Sequence, residues 1–299
     1  MKRMFTTLAA GAVMALALAG CSTAEAPASS GSDSGSSGDK DLTIAVFNGW
    51  DEGIAASELW RSILEEKGYS VTFEYADAGA VFLGLSQGEY DLVLDGWLPI
   101  THADYIDQFG DDLEDLGPWN EDAKLTVAVN EDAPIDSIDE LLENADMFGN
   151  RIVGIEAGAG LTTIMENEVI PGYDLGGMDF VASSSPAMLA ELQAATDADE
   201  NIAVTLWRPH WAYDAFPIKD LEDPKGLLGD QEGIHTFTRT GFADDFPELQ
   251  GWLSEWSMDS DTLYSLENTL FNDPATDDLE SLTADWIAEN QDWVDSLTK

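Results

Sequence analysis

Two stretches of the chain share one pattern of apolar and polar positions. Asp91-Leu-Val-Leu-Asp-Gly-Trp-Leu-Pro-Ile-Thr-His102 and Ile202-Ala-Val-Thr-Leu-Trp-Arg-Pro-His210 each run from apolar residues to a tryptophan, with a proline two positions on and a histidine close behind. Short apolar runs bounded by turn formers predict buried parallel strands. Proline cannot continue a ladder, so each strand is expected to stop at its tryptophan. Ligands of open α/β sheets sit beyond the carboxyl ends of the strands. Trp97 and Trp207 are therefore expected over a crevice.

Read in order, the pattern gives a strand at Leu42 to Phe47 and a turn through Gly49 and Gly53. A helical stripe follows at Ile54, Leu59, Trp60, Ile63 and Leu64, ending near Gly68. A strand at Val71 to Tyr75, a helix at Ala80 to Gln87 and the strand from Asp91 to Asp95 complete a β-α-β-α-β series, which predicts a parallel sheet with crossover helices. The pattern restarts at Leu125 to Val129. It continues through a helix at Ser137 to Ala145 with a capping box at Ser137 and Glu140, a strand at Ile152 to Ile155 and a tight turn Ala157-Gly-Ala-Gly160. A helix from Leu161, a strand near Phe180, a helix from Ser185 and the strand Ile202 to Leu206 follow. Gly233 to Arg239 alternates as a strand. The remainder is helical, with Trp252 and Trp256 four residues apart and an amphipathic stretch from Leu279 to Leu297. The chain is expected to cross to a second lobe near residues 124–130 and to return near 230–238. Lobe 1 is then 41–126 with 234–299, and lobe 2 is 127–233.

The N-terminus sets the compartment. Lys2 and Arg3 precede a short apolar stretch that ends in Leu18-Ala-Gly-Cys21, which resembles the lipobox of bacterial lipoproteins. The resemblance implies a signal peptide over 1–20, lipidation of Cys21 and a Ser/Gly-rich tether over 21–40. With one cysteine in the chain, disulfides and thiolate metal sites are excluded. The body is expected to be extracytoplasmic and held to the membrane by its lipid alone. With 12 basic residues against 59 acidic ones, nucleic acid is a poor partner, because phosphate binding needs clustered Lys and Arg. Acids spread through the chain point to a saline habitat, where short Debye lengths relieve their mutual repulsion.

The chain holds 10 tryptophans. Trp60, Trp286 and Trp293 fall on helix stripes, and Trp119 is placed in a loop. Trp50, Trp97, Trp207, Trp211 and Trp256 are read at strand ends, turns or helix starts, where no sheet needs filling. Several indoles and little else suit a quaternary ammonium, which donates no hydrogen bond but is attracted to the face of an aromatic ring. Three such contacts contribute roughly 6 kcal/mol, short of the roughly 8 kcal/mol of micromolar binding. A second anchor is offered by Gly53 and Ile54, whose amides open a helix and suit a carboxylate. Paired carboxylates are inevitable in so acidic a chain and carry no catalytic signal; no metal or cofactor motif is present.

Six spaced motifs then align with one family. Gly49-Trp-Asp-Glu-Gly-Ile-Ala55, Trp97-Leu-Pro-Ile-Thr-His102, Gly154-Ile-Glu-Ala-Gly-Ala-Gly160, Trp207-Arg-Pro-His-Trp211, Leu221-Glu-Asp-Pro-Lys225 and Glu232-Gly-Ile-His-Thr236 together resemble the glycine betaine-binding proteins of osmoprotectant ABC importers. The resemblance spans about 42–275 and implies an α/β fold, a two-lobe, periplasmic-binding-protein-like (type II) clamshell with two hinge crossings. It assigns an ammonium cage to Trp97, Trp207 and Trp256, with Trp50 and Trp211 as further walls, and the carboxylate to Gly53 and Ile54. His102, His210 and His235 lie within or beside the motifs and are candidates to orient that carboxylate. The implied function is non-enzymatic capture of glycine betaine, with proline betaine and carnitine as further candidates, for a membrane permease. Two other readings stand beside it: a choline binder of the same fold, and a sugar-binding module or glycosidase.

Overall fold

The computed structural model describes residues 40–299. The expected signal peptide, Cys21 and all but the last residue of the tether lie outside the described residues. Strand β1 (Asp41–Phe47) leads through α1 (Asp51–Glu66) to β2 (Ser70–Ala76), and α2 (Ala78–Ser86) leads to β3 (Leu92–Leu98). Both β2 and β3 pair with β1 in parallel, as the β-α-β-α-β pattern requires. The apolar stripe of α1 places Leu59, Trp60, Ile63 and Leu64 in the core, each contributing about 1.5–3 kcal/mol. The helix stops where Gly68 takes a positive φ of 82° and the Tyr69 amide reaches back to the Leu64 carbonyl at 3.0 Å.

After α3 (Ala103–Phe109) the chain enters β4 (Leu113–Asn130), a strand of 18 residues, far longer than the apolar run at Leu125 to Val129 predicts. Gly117 and Pro118 interrupt the apolar pattern. The strand accommodates them with register shifts at Asp115/Pro118 and Pro118/Asn120, because a bulge tolerates a residue that cannot donate. Trp119 is accordingly a buried strand residue, where the sequence places it in a loop.

The second series comprises β5 (Arg151–Val153), α4 (Gly160–Ile164), α5 (Ile170–Gly172), β6 (Asp179–Val181), α6 (Ser185–Asp197), β7 (Ala203–Arg208), α7 (Ala212–Ala215) and β8 (Ile218–Asp220). Then come β9 (Glu232–Arg239), α8 (Phe242–Asp245), α9 (Pro247–Glu255), α10 (Ser260–Phe271), α11 (Leu279–Glu289) and α12 (Gln291–Val294). The predicted helix over Ser137 to Ala145 is two 3-10 turns, Ile138–Glu140 and Ala145–Phe148. Its start is pinned to another segment: the Ile138 amide donates to the Glu222 carbonyl at 3.0 Å, and Ser137 bridges the same residue.

The strands form one sheet in the order β2-β1-β3-β9-β4-β7-β5-β6, with β8 also on β4. Strand β4 is the seam. Residues up to Ala123 pair with β9, and Lys124 onward pairs with β7 and β8. A first half (β2, β1, β3, β9) and a second half (β7, β5, β6, β8) thus share one strand, and the chain returns between Asp220 and Glu232. The carboxyl ends of β1 and β3 in one half, and of β5 and β7 in the other, deliver the segments that meet at the cleft.

Candidate functional site

Three indoles and a few apolar side chains line a cavity. Trp50 caps the start of α1, Trp97 is the penultimate residue of β3, and Trp207 is the penultimate residue of β7. The two strand-end tryptophans are each followed two residues on by a cis proline, Pro99 and Pro209. Leu125 and Ile155 add apolar wall, and Glu52 is the one charged side chain at the cavity surface. The pattern reading of Trp97 and Trp207 at strand ends agrees with these positions; each runs one residue further before its strand closes.

Every indole nitrogen at the cleft has a carboxylate partner. Trp97 Nε1 donates to Asp95 Oδ1 at 2.8 Å within its own half. The other three bonds join the halves: Trp50 Nε1 to Glu156 Oε1 at 2.5 Å, Trp207 Nε1 to Glu52 Oε2 at 2.9 Å, and Trp211 Nε1 to Asp51 Oδ2 at 2.6 Å. Bonds of this kind at the ring edge fix ring orientation.

Several residues singled out by sequence lie elsewhere. Trp256 does not line the cavity; it stacks on Trp119 at 4.7 Å, meets Trp60 edge-on and donates to Thr236 Oγ1 at 3.3 Å. It is a buried packing residue, and Trp50, read from the sequence only as a further wall, is the third indole at the cavity. Trp211 sits behind Trp207, half-buried, as a tie to Asp51 and not as a cavity wall.

The histidines support the rings from behind. His102 Nδ1 accepts the Trp97 amide at 2.8 Å and its ring stacks on Trp50. His210 Nδ1 accepts the Ala212 amide at 3.1 Å and its ring meets Trp207 edge-on. Accepting at Nδ1 places the proton of each neutral ring on Nε2. Burial pushes both down to about 3, so both are neutral. His235 pairs with Asp115 at 2.9 Å on the β9–β4 ladder, away from the cavity.

The helix start at Gly53 and Ile54, the predicted carboxylate anchor, is crowded by acidic side chains. The Ile54 amide already donates to the Trp50 carbonyl at 3.0 Å. Gly53 faces Asp95 so closely that an added Cβ would stand 2.3 Å from Oδ2, which is why glycine is required there. Asp51, Glu52 and Asp95 surround this helix start, and Glu267 of α10 lies fully buried beside them. Burial raises Asp51 to about 6. Burial first, and the Asp95 carboxylate next, hold Glu52 well above the ordinary carboxylate range. An anion gains nothing in such a field.

The second half offers the alternative. The cavity touches Ala159, Gly160 and Leu161 at the start of α4, which continues through a π turn (Met165–Val169) into α5 as one helical run. Among the described residues the Gly160, Leu161 and Thr162 amides have no backbone acceptor, whereas the Ala159 and Thr163 amides on either side do; Gly160 and Leu161 are the two of the three that reach the cavity. Gly160 also packs against the first half, since an added Cβ would lie 2.0 Å from the Thr101 carbonyl oxygen. Thr101 itself is fixed by Glu232, which accepts the Ile100 and Thr101 amides at 2.7 and 2.8 Å. Sequence reading placed the Ala157 to Gly160 turn at the cleft but assigned it no ligand. Asp51 and Glu52 looked like ordinary solvated acids of a first helical turn, and nothing in their spacing marks them as buried. Among the described residues no helix is long and apolar enough to cross a membrane, and no cluster of ligating side chains could hold a metal ion.

Comparison with known proteins bears on this geometry. The profile of the family described as the substrate-binding domain of ABC-type glycine betaine transport systems matches residues 40–289. The glycine betaine/carnitine transport binding protein GbuC of Listeria monocytogenes is 34% identical over 175 residues, 56% of this chain and 55% of that protein. The chain thus spans about half the length of that relative. Among solved structures, lactococcal OpuAC in its closed conformation with glycine betaine matches with a TM-score of 0.80 and 29% identity over 87% of this chain and 100% of that one. The glycine/betaine/L-proline-binding protein ProX of Borrelia burgdorferi matches with a TM-score of 0.80 and 27% identity over 87% and 97%. The fold is accordingly that of the type II periplasmic binding proteins. The chain belongs to the family of substrate-binding domains of ABC-type glycine betaine transport systems.

Proposed function

We propose that the protein captures glycine betaine outside the cytoplasm and delivers it to the permease of an ABC importer. The observation that carries this reading is the convergence of three indoles, two from the first half and one from the second, on one cavity. The trimethylammonium sits among Trp50, Trp97 and Trp207. The carboxylate takes the Gly160 and Leu161 amides. Being neutral overall, a zwitterion feels little long-range repulsion from a chain of net charge -47. Residues 41–126 with 234–299 act as one lobe and 127–233 as the other, closing about β4 and the return segment, with Cys21 carrying the lipid anchor.

The relatives' names support the ligand class, and the carboxylates support a binding role over cleavage. Asp51, Glu52, Asp95 and Glu156 are each engaged by an indole, so no pair stands free for acid and base work on a glycoside. Glu52 at the cavity wall favours choline as the second ligand, because its hydroxyl can donate where betaine cannot. Titration of the purified protein in high salt with glycine betaine, choline, proline and maltose, followed by intrinsic fluorescence, tests the reading. Saturable quenching by betaine, with proline and maltose inert, is the expected result. A response to maltose and none to either quaternary ammonium would refute it.

A further inference from the structure

Glu52 projects from the first turn of α1 into the cavity that the two halves share, and it is 2% exposed. Its Oε2 holds Trp207, a ring of the opposite half. The groups facing it are Asp51 on the same helix, Asp95 on β3 and Glu267 on α10, with His210 of the second half 3.9 Å from Asp51. Among the described residues, no Lys or Arg forms an ion pair with Asp51, Glu52, Asp95 or Glu267. Asp95 Oδ2 and both Glu267 oxygens are buried without a hydrogen-bond partner. A dry region with several carboxyl groups and no cation favours their neutral forms, and a positive charge brought into the cavity would favour ionisation of the carboxyl beside it.

On the reading of the cavity as a quaternary-ammonium site, we propose that Glu52 is a specificity-determining residue that does two jobs with one carboxylate. It fixes the Trp207 ring across the cleft, and a cationic headgroup entering the cavity draws its carboxyl into the charged form, so that a cation is selected over a neutral group of the same shape. The indoles alone discriminate weakly against an uncharged group, since a tert-butyl group fills the same apolar cage and loses only the cation-π component. Opposite charges within one low-dielectric cavity add a larger discrimination, at least about tenfold after solvent screening.

The test compares glycine betaine with 3,3-dimethylbutanoate, its carbon isostere, which keeps the shape and carboxylate but lacks the positive nitrogen. Affinities are measured for the parent protein, Glu52→Gln and Glu52→Ala. Glutamine retains an acceptor for Trp207 and removes the charge. Glu52→Gln is expected to lower betaine affinity about tenfold or more while isostere affinity holds or rises, so the ratio of the two collapses. Glu52→Ala loses the ring tie too, and both ligands weaken. An unchanged ratio in Glu52→Gln would overturn the proposal. If the variants do not fold, the parent decides: its betaine-to-isostere ratio should rise with pH as Glu52 and its acidic neighbours, all held above the ordinary carboxylate range by burial, ionise, and a flat ratio overturns the proposal equally. A parent that binds betaine no better than the isostere contradicts the quaternary-ammonium reading itself. A collapse confined to the variants leaves that reading intact.

Discussion

Trp50 and Glu156 belong to opposite halves of the sheet, and the indole nitrogen of the first donates to the carboxylate of the second at 2.5 Å. The other oxygen of Glu156 accepts the Ser185 amide and hydroxyl at 3.2 and 3.1 Å, so the carboxylate is itself anchored at the start of α6. Bonds to a charged acceptor are worth about 1.5–3 kcal/mol. Glu156→Ala should therefore weaken betaine binding by roughly tenfold or more, and Glu156→Gln by less, as isothermal calorimetry would show.

The tryptophans divide into two classes with opposite readouts. Trp50→Ala, Trp97→Ala and Trp207→Ala each remove one wall, about 2 kcal/mol or some thirtyfold in affinity. Trp256→Ala removes a ring packed between Trp60 and Trp119 and should cost about 3–5 kcal/mol of stability in urea melts, with affinity preserved in the fraction that stays folded.

Gly160 makes closure itself testable. A methyl group there would collide with the Thr101 backbone of the other half, so Gly160→Ala blocks the final approach of the halves. Binding should fall by at least about tenfold, since the carboxylate and the ammonium could no longer be held together. The thermal midpoint without ligand should stay within about 2 °C of the parent, because an open cleft has room for the methyl group.

Acid stability should follow the two neutral histidines. Their ordinary value is 6.5 in the unfolded chain, and burial lowers it to about 3 in the fold. The unfolded chain therefore binds more protons between those values. The contribution is intact above about pH 6.5 and is lost as pH falls toward about 3. Replacing both His102 and His210 by Asn, which keeps an acceptor near each Nδ1 position, should lower the plateau. The buried carboxyls raised by burial, Asp51 to about 6 among them, act in the opposite sense across that window, so the readout is the difference between parent and variant thermal melts, which should shrink with acid. An equal slope in the variant would contradict this assignment.

Much of the architecture was legible because it rests on local pattern. The apolar runs at Leu42 to Phe47 and Ala203 to Leu206 cannot be solvated and need no distant information to be read as strands. The two Trp-x-Pro strand ends pointed to Trp97 and Trp207 for the same reason. What was not legible depends on contacts between distant segments. Trp256 and Trp50 look alike in sequence, and only the register of β4 on β9, which carries Trp119 beneath Trp256, separates packing ring from cavity wall. The proposed carboxylate anchor differs from the one read in the sequence because two helix starts have the same orphan amides, and the preference between them is electrostatic. Asp95 lies 42 residues from Gly53 in the chain yet presses against it in the fold, making that helix start hostile to an anion.

The most direct test of the cage is a crystal structure with glycine betaine bound. The nitrogen should lie within about 6 Å of the ring centroids of Trp50, Trp97 and Trp207 at once, with the carboxylate oxygens on the Gly160 and Leu161 amides. Betaine seated against Trp256, or with its carboxylate at Gly53 and Ile54, would contradict the account.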